Sequence, residues 1–434
     1  QLRIVGPNCL GFMVPGIGLN ASLCHIGAKP GRLAFVTQSG AIVTSVVDWA
    51  ESYGIGFSHL VSLGDMTDVD VGDTLAYLAD DPNTSAILLY IESITSAGKF
   101  MSAARAAARL KPVIAVKAGR HPEGARAASS HTGALAGTDA VYDAAFRRAG
   151  ILRVLSINEL LSAAETLVTT DPPKGDRLAI LTNGGGVGVM ATDALMDMGG
   201  SLAELSTETL KQLNDTLSPS WSHGNPVDIS GNAPARHYAN ALKALTVDGG
   251  VDAILVLNCP SAVTSAFDSA RAVVDTVKHE RHIPIVASWV GEHTAANARQ
   301  VFAEHEMPIY STPEKAVRAF MHLVCYRRIQ ELLNQAQPST PVEFSADKDR
   351  ARHVISQAVE EKRDWLTELE SKDVLCAYEV PTVATRAADT PEEAASIAEE
   401  IAGPVVLKVR APHITHKSEL GGVVLDLEGP AAVH

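Results

Sequence analysis

Residues 33–50, LAFVTQSGAIVTSVVDWA, decide the fold. A short apolar run, LAFVT, leads into a glycine-containing turn, QSG, and then into apolar side chains at Ile42, Val43, Val46, Val47 and Ala50, the spacing of one helix face. The stretch reads as strand, turn, helix. The same device returns further on, where LAILT (178–182) is followed by NGGGVG and a helical segment from Val189 through Met198. Outward from the first device, apolar runs at 86–91 (AILLYI) and 113–117 (VIAVK) enclose an alanine-rich helical stretch at 100–110. Outward from the second, further runs fall at 253–257 (AILVL) and 284–289 (PIVASW), and a long helix is expected over 312–333. Such alternation argues for parallel sheets covered by helices. The middle of the chain is therefore read as two similar α/β domains in tandem.

The stretch 169–176, TTDPPKGD, has two prolines and few apolar residues and reads as the linker between them. A second linker is expected at 334–347, where Gln, Pro, Ser and Thr replace the apolar periodicity. Beyond it a different unit is expected: a charged helix around 351–371, a strand near 380–385, a helix at 391–402 and a strand at 405–409. The chain opens directly into a strand-like Leu2-Arg3-Ile4-Val5 and a turn, Gly6-Pro7-Asn8-Cys9, and stops within its last unit, so both ends read as cut. The expected division is 1–28, 29–170, 175–335 and 347–434.

Composition narrows the function. Of 434 residues 46% are hydrophobic, 20% charged and only 5% aromatic, which fits a soluble α/β protein of closely packed small side chains. A net charge of -14 argues against a nucleic-acid surface and against a polybasic membrane anchor, leaving small molecules as the expected partners. The five cysteines are scattered and form no CxxC pair or Cys/His metal spacing, so a reducing cytoplasm is expected and no metal site is assigned. No apolar run approaches the ~20 residues needed to span a bilayer.

Two features carry chemistry. TQSGAI (37–42) and TNGGGVG (182–188) each put a glycine-containing turn between a strand and a helix N-terminus, where free backbone N–H groups and the helix dipole hold an anion without a cationic side chain. Either turn alone reads equally well as an ordinary tight connection. The segment 118–137, AGRHPEGARAASSHTGALAG, has four glycines and almost no large apolar side chains, so it is expected to be a mobile loop outside the core. His131 lies near its middle. A neutral imidazole is a good nucleophile near pH 7 and can carry a phosphoryl group.

SSHTGALAG in this setting resembles the phosphohistidine loop of the NDP-forming acyl-CoA synthetases, which include the ADP-forming acetate–CoA ligases, and more loosely that of succinyl-CoA synthetase. The resemblance runs nearly the whole length. RIVGPNCLG looks like the end of the family's Rossmann-like CoA-binding domain, and TQSGAI, YIESI and SSHTGALAG look like its first ligase domain. TNGGGVGVMATDA and NPVDISG look like its second, and VVLKVRAPHITHKSELGGV looks like the front of its ATP-grasp domain. The implied architecture is two tandem flavodoxin-like, succinyl-CoA synthetase-like domains, with the tail of a CoA-binding domain before them and the start of an ATP-grasp domain after. By this resemblance His131 is the phosphoacceptor and Glu92, at the end of AILLYI, orients its imidazole; a strand-end Glu facing solvent is the bland alternative. Ser39, Gly40, Asn183, Gly184 and Gly185 would cradle phosphate, and Asn8 and Cys9 would belong to the CoA site. Asn225 and Asp228 either line the active site or shape a proline-containing turn. Lys408, on an apolar strand, would be buried and so need an anionic partner, for which nucleotide phosphate is the candidate. His416 and Lys417 precede a glycine pair suited to phosphate; His416 is either a second relay or a simple binding residue.

The implied reaction converts acyl-CoA, phosphate and ADP to carboxylic acid, CoA and ATP, with Mg²⁺ accompanying the nucleotide. A homo-oligomer is expected, and the chain as it stands is not expected to complete the cycle. Residues 307–333, MPIYSTPEKAVRAFMHLVCYRRIQELL, look most like the ligase part of protein lysine acetyltransferases that carry a C-terminal GNAT domain, in some of which the ligase part only senses acyl-CoA. Protein lysines would then be further substrates. A non-catalytic flavodoxin-like binding module is the third reading.

Overall fold

The computed structural model describes residues 2–126, 138–278, 283–335, 346–410 and 421–434, which form two compact units, Gln1–Gln335 and Ala336–His434. His131, His416 and Lys417 lie outside the described residues.

The first unit contains two sheets. Strands β1 (Gly11–Val14), β2 (Leu19–Ser22), β3 (Pro30–Thr37), β4 (Phe57–Ser62), β5 (Ala86–Ile91), β6 (Val113–Lys117) and β7 (Leu152–Val154) lie in the order β2-β1-β4-β3-β5-β6-β7. The last five of that order are parallel, and β1 and β2 add an antiparallel edge. Numbered by place in the chain, the parallel strands run 2-1-3-4-5, the flavodoxin-like doubly wound order. Helices α1 (Gly40–Tyr53) and α5 (Ile157–Thr169) cover one face, packing Val43, Val46, Leu160 and Leu161 against Phe35, Leu88 and Ile114. Helices α2 (Val71–Asp80), α3 (Ala97–Leu110) and α4 (Asp139–Ala149) cover the other through Leu75, Phe100 and Phe146. With both faces buried, the strands can be apolar throughout, which is why they read as unbroken runs.

The second sheet repeats the plan. Strands β8 (Arg177–Thr182), β9 (Ser201–Leu202), β10 (Val227–Asp228), β11 (Ala253–Asn258), β12 (Ile285–Trp289) and β13 (Ile309–Tyr310) follow the order β10-β8-β11-β12-β13, with β9 also on β8 and every pair parallel. Helix α6 (Gly185–Asp197) packs on one face. Helices α7 (Thr207–Thr216), α8 (Ala235–Thr246), α9 (Ala266–Val277) and α10 (Ala296–Ala303) pack on the other, around Tyr238, Val273, Trp289 and Phe302.

Helix α11 (Pro313–Asn334) joins the two domains. Thr312 caps its start, accepting from the Lys315 N–H, and Pro313 occupies the first turn. Phe320 and Val324 enter the second domain's core, whereas Leu323, Tyr326 and Ile329 pack on one core of the first domain and Leu333 on the other. Helix α11 carries apolar side chains on more than one side, and lying between two sheets buries most of them, from Ala316 to Val324 and again at Leu333. Ion pairs Arg318–Glu159 (3.3 Å) and Arg328–Asp176 (2.5 Å) and a hydroxyl contact between Thr166 and Tyr310 reinforce the junction.

In the second unit, helices α12 (Lys348–Glu360), α13 (Glu368–Ala377) and α14 (Pro391–Ile401) accompany an antiparallel pair, β14 (Val405–Lys408) with β15 (Val423–Leu427). Three sequence expectations are corrected. The helix expected over 351–371 is two helices, because Thr367 and Glu370 form a capping box that starts α13 afresh. Residues 380–385 form no strand, and neither do residues 2–5. The opening segment is held by isolated bonds instead, Ile4 N–H to Asp68 (2.8 Å) and Val69 N–H to the Ile4 carbonyl (3.1 Å).

Candidate active site

In a doubly wound sheet the crevice that takes ligands lies beyond the carboxyl end of the first strand, where its own helix covers one face and the helices after its two neighbours cover the other. Those points are the end of β3, between β4 and β5, and the end of β8, between β10 and β11. The two predicted anion turns begin there.

The turns are built alike. Thr37, almost fully buried, accepts from the Ser39 N–H (3.0 Å) and donates to the Ser39 carbonyl (3.2 Å). Thr182 does the same for Gly184, at 3.0 and 3.1 Å. Ser39 and Gly184 are the N-caps of α1 and α6, and neither helix start receives a side-chain cap, so their first N–H groups keep the capacity to bind an anion. The residue between threonine and cap reaches sideways in both cases. Gln38 Oε1 accepts from the Glu92 and Ser93 N–H groups, at 2.6 and 3.0 Å, and fixes the chain at the end of β5. Asn183 accepts from the Cys259 N–H (2.7 Å) and donates to the Cys259 carbonyl (3.0 Å), fixing the chain at the end of β11. The Asn183 amide is thus committed to the scaffold, which leaves the backbone of this turn as the part available to phosphate.

Strand register makes the correspondence exact to the residue. Thr37 pairs with Ser62 and Tyr90, and Thr182 with Asp228 and Leu257, so Ser62 corresponds to Asp228 and Glu92 to Cys259. The first turn therefore has a carboxylate on its β5 side and a hydroxyl on its β4 side. The second has a carboxylate on its β10 side and a thiol on its β11 side. A Cβ placed on Gly185 would lie 3.0 Å from Asp228 Oδ2, so this carboxylate already stands at the start of α6 and shares its dipole with any bound anion. Burial, and then Asp228, push the Cys259 thiol up, which keeps it protonated and a poor nucleophile. A Cβ on Gly184 would meet Cys259 Sγ at 2.9 Å, so the close fit of turn and strand requires glycine here. Behind Cys259, the buried Tyr238 donates to the Leu257 carbonyl and accepts from Asn258, both at 3.0 Å.

The N-terminal segment lies against the first turn. Leu10 donates its N–H to Ser62 Oγ (3.0 Å), and a Cβ on Gly40 would meet Leu10 Cβ at 3.3 Å. Asn8, with φ of 54°, donates to Asp65 (3.2 Å), and Cys9 Sγ lies 3.7 Å from the Val5 carbonyl. Gly64 passes under this segment so closely that a Cβ would fall 2.1 Å from the Pro7 carbonyl oxygen.

Of the paired sequence readings, Asn225 takes the structural one. Its amide accepts from the Ile180 N–H and donates to the Leu178 and Ala203 carbonyls, all at 2.9 Å, next to a cis Pro226. Asp228 stands at the second turn. Lys408 is corrected: among the described residues its side chain is exposed rather than buried, and its ammonium already donates to Glu368 (2.8 Å). That bond, joined by Lys372 and opposed by burial, holds the Glu368 carboxyl below its ordinary range. Among the described residues no group of three or more His, Cys, Asp or Glu is placed to hold a metal, and no helix is long and apolar enough to cross a membrane. Gln38 is a residue of this region that the sequence reading did not assign. The shared pattern Thr-(Gln/Asn)-(Ser/Gly)-Gly was the available signal for Gln38.

Two doubly wound domains in tandem, each with an uncapped helix start at its switch point, define the class: a ligase scaffold of the succinyl-CoA synthetase type. Comparison with known proteins agrees. Residues 30–167 match a succinyl-CoA ligase like flavodoxin domain, 178–331 a ligase-CoA domain and 357–434 an ATP-grasp domain. The alpha subunit of acetate–CoA ligase [ADP-forming] I from Pyrococcus furiosus is 39% identical over 323 residues, covering 74% of this chain and 70% of that one. Acetate–CoA ligase [ADP-forming] I from Archaeoglobus fulgidus is 37% identical over 426 residues, 98% of this chain and 60% of its own length. A solved structure, the Ca. Korarchaeum cryptofilum dinucleotide forming acetyl-coenzyme A synthetase 1 in complex with phosphate and ADP, superposes with a TM-score of 0.72 at 34% identity, over 78% of this chain and 74% of that one. The chain belongs to the ADP-forming acetate–CoA ligase family. It spans 60% of the length of the Archaeoglobus relative.

Proposed function

We propose that this chain is the central part of an acyl-CoA synthetase that makes a nucleoside triphosphate from acyl-CoA, phosphate and the diphosphate, with acetyl-CoA as the first acyl-CoA to try. The observation that carries the reading is the doubled anion turn with Glu92 tied by Gln38 to the first of the two. A phosphate oxygen attacks the thioester carbonyl, the CoA thiolate leaves, and an acyl phosphate results. An imidazole nitrogen of His131 then attacks phosphorus and the carboxylate leaves. The terminal oxygen of ADP finally takes the phosphoryl group from His131 and frees the imidazole. Residues 39–40 and 183–185 would stabilise the anions at helix ends, and Glu92 would hold the imidazole in the tautomer whose other nitrogen attacks. Asn8 and Cys9 would contribute to the CoA side, and Lys408, His416 and Lys417 to the nucleotide side, where Lys408 would have to exchange Glu368 for phosphate. Mg²⁺ would arrive with the nucleotide. Relatives that are ligases favour this reading over an acyl-CoA sensor ahead of an acetyltransferase domain.

The full-length protein incubated with acetyl-CoA, ADP, Mg²⁺ and phosphate should release free thiol and ATP in equal amounts. Thiol release without ATP, or neither product with any of a panel of acyl-CoAs, would sink the proposal.

A further inference from the structure

Asp228 ends β10 beside the start of α6, and hydrogen bonds fix both its backbone and one of its carboxylate oxygens. Its N–H donates to Ser222 Oγ (2.9 Å), its carbonyl accepts from the Ser222 N–H (3.1 Å), and its Oδ1 accepts from the Ser230 N–H (2.9 Å). The other oxygen, Oδ2, is the one that lies 3.0 Å from where a Cβ of Gly185 would stand. Among the described residues Oδ2 takes no hydrogen bond, and Asp228 pairs with no lysine, arginine or histidine.

A carboxylate beside a helix start ordinarily caps it, yet α6 receives no side-chain cap, so Asp228 does not serve the helix in that way. The first N–H of this turn to bond within the helix is that of Gly188, to the Gly184 carbonyl (3.2 Å). Gly186 is exposed, and a Cβ there would meet nothing, so packing does not require glycine at this place. A bare backbone leaves its N–H open to a close ligand. Across the turn, burial and then Asp228 push the Cys259 thiol up, so it stays protonated and adds no negative charge. The second turn thus offers an oxyanion two unlike things: backbone N–H groups that donate, and one carboxylate oxygen that only accepts. An oxyanion that carries a proton satisfies both. One without a proton sets its lone pairs against those of the carboxylate. Inorganic phosphate keeps a proton near neutral pH and sulfate keeps none, although the two ions are alike in size and shape.

We propose that Asp228 is a specificity-determining residue for phosphate: its Oδ2 accepts a hydrogen bond from a protonated oxyanion at the start of α6, which admits inorganic phosphate and turns away sulfate. This rests on the second turn holding phosphate, as described under the proposed function.

The test uses the full-length protein as wild type, Asp228→Asn and Asp228→Ser. In Asp228→Asn the amide oxygen keeps the Ser230 N–H, which turns the amide nitrogen towards α6 as a donor. Asp228→Ser copies the first turn, where Ser62 holds the corresponding position. Thiol release from acetyl-CoA with ADP and Mg²⁺ is followed as phosphate is varied against fixed sulfate at constant ionic strength. The readout is the ratio of the sulfate inhibition constant to the phosphate KM, which a merely structural role would not move. Wild type should prefer phosphate, and both variants should shrink that preference by about tenfold or more, the worth of one hydrogen bond to a charged group. Where a variant folds without turning over, the same preference is read from the rise in melting temperature with each anion. Variants that keep the wild-type ratio overturn the proposal and leave the proposed function standing, and so does a wild type that binds sulfate as tightly as phosphate. Two variants that fail to fold also overturn it, because Asp228 is then a structural residue. Wild type without phosphate-dependent thiol release overturns the proposed function and this inference with it.

Discussion

The two proposed anion turns of this chain share a backbone and differ in their acids. In the first, Glu92 lies beyond β5 and Ser62 ends β4; in the second, the corresponding places hold Cys259 and Asp228. A duplicated scaffold can thus keep its uncapped helix starts and still move the carboxylate from one side of the turn to the other. Near the first turn, Gln38 holds the Glu92 and Ser93 N–H groups and Tyr142 accepts from the Ile94 N–H. The second is tied down by Asn183, Tyr238 and Asn258.

The largest expected effect separates the corresponding residues Glu92 and Cys259. In the full-length protein Glu92→Gln should slow acyl-CoA-driven ATP formation by roughly 10²- to 10⁴-fold, the range for a lost acid–base or orienting group, while Cys259→Ala stays within a few-fold. Equal losses in steady-state assays would break the proposed division of labour. Next in size is Gly184→Ala, whose Cβ would press on Cys259 Sγ at 2.9 Å. Overpacking of this kind costs ~1–3 kcal/mol, visible as a lower melting temperature, and Cys259→Ala in the same molecule should restore most of it. Ser39→Ala at the matching place in the first turn should leave the melting temperature nearly unchanged. Smaller again, Thr37→Val and Thr182→Val each remove one paired hydroxyl and should each cost about 1 kcal/mol in urea titration, equally if the two turns are equivalent as scaffolds.

The smallest effect concerns the helix that joins the domains. Burial, ahead of the opposing charge of Glu159, pushes His322 on α11 down to about 4, so it is neutral when folded near neutral pH. An unfolded histidine, titrating near 6.5, binds a proton that the folded one refuses, so this residue's contribution to stability is complete above that pH and falls as pH drops towards about 4. His322→Asn should flatten the difference in melting temperature between pH 7 and pH 5 by an amount worth on the order of 1 kcal/mol. A variant whose pH dependence matches wild type would mean the junction opens too readily to hold the proton out.

Much of this was legible in the sequence, for identifiable reasons. Strands buried on both faces leave unbroken apolar runs, so LAFVT, AILLYI, VIAVK, LAILT and AILVL could be placed, and the glycine turns marked the ends of β3 and β8. What periodicity could not reveal depends on partners far away in the chain. Gln38 reaches Glu92 across 54 positions, and Asn183 reaches Cys259 across 76. The correspondence of YIES with LNCP exists only as strand register and has no shared residues to betray it. Lys408 misled because an apolar strand suggests a covered sheet, whereas among the described residues β14 pairs with β15 alone and leaves Val406 and Leu407 exposed. The segment expected at 380–385 has branched residues suited to a strand, but among the described residues no neighbouring strand takes it up, and propensity alone does not make a sheet.

The most direct test of the account is the fate of the γ-phosphate of ATP on the full-length protein. Acid-labile, base-stable label should appear on wild type, vanish in His131→Ala, and be chased off by acetate with CoA. Label that survives His131→Ala would contradict the relay at the centre of the comparison.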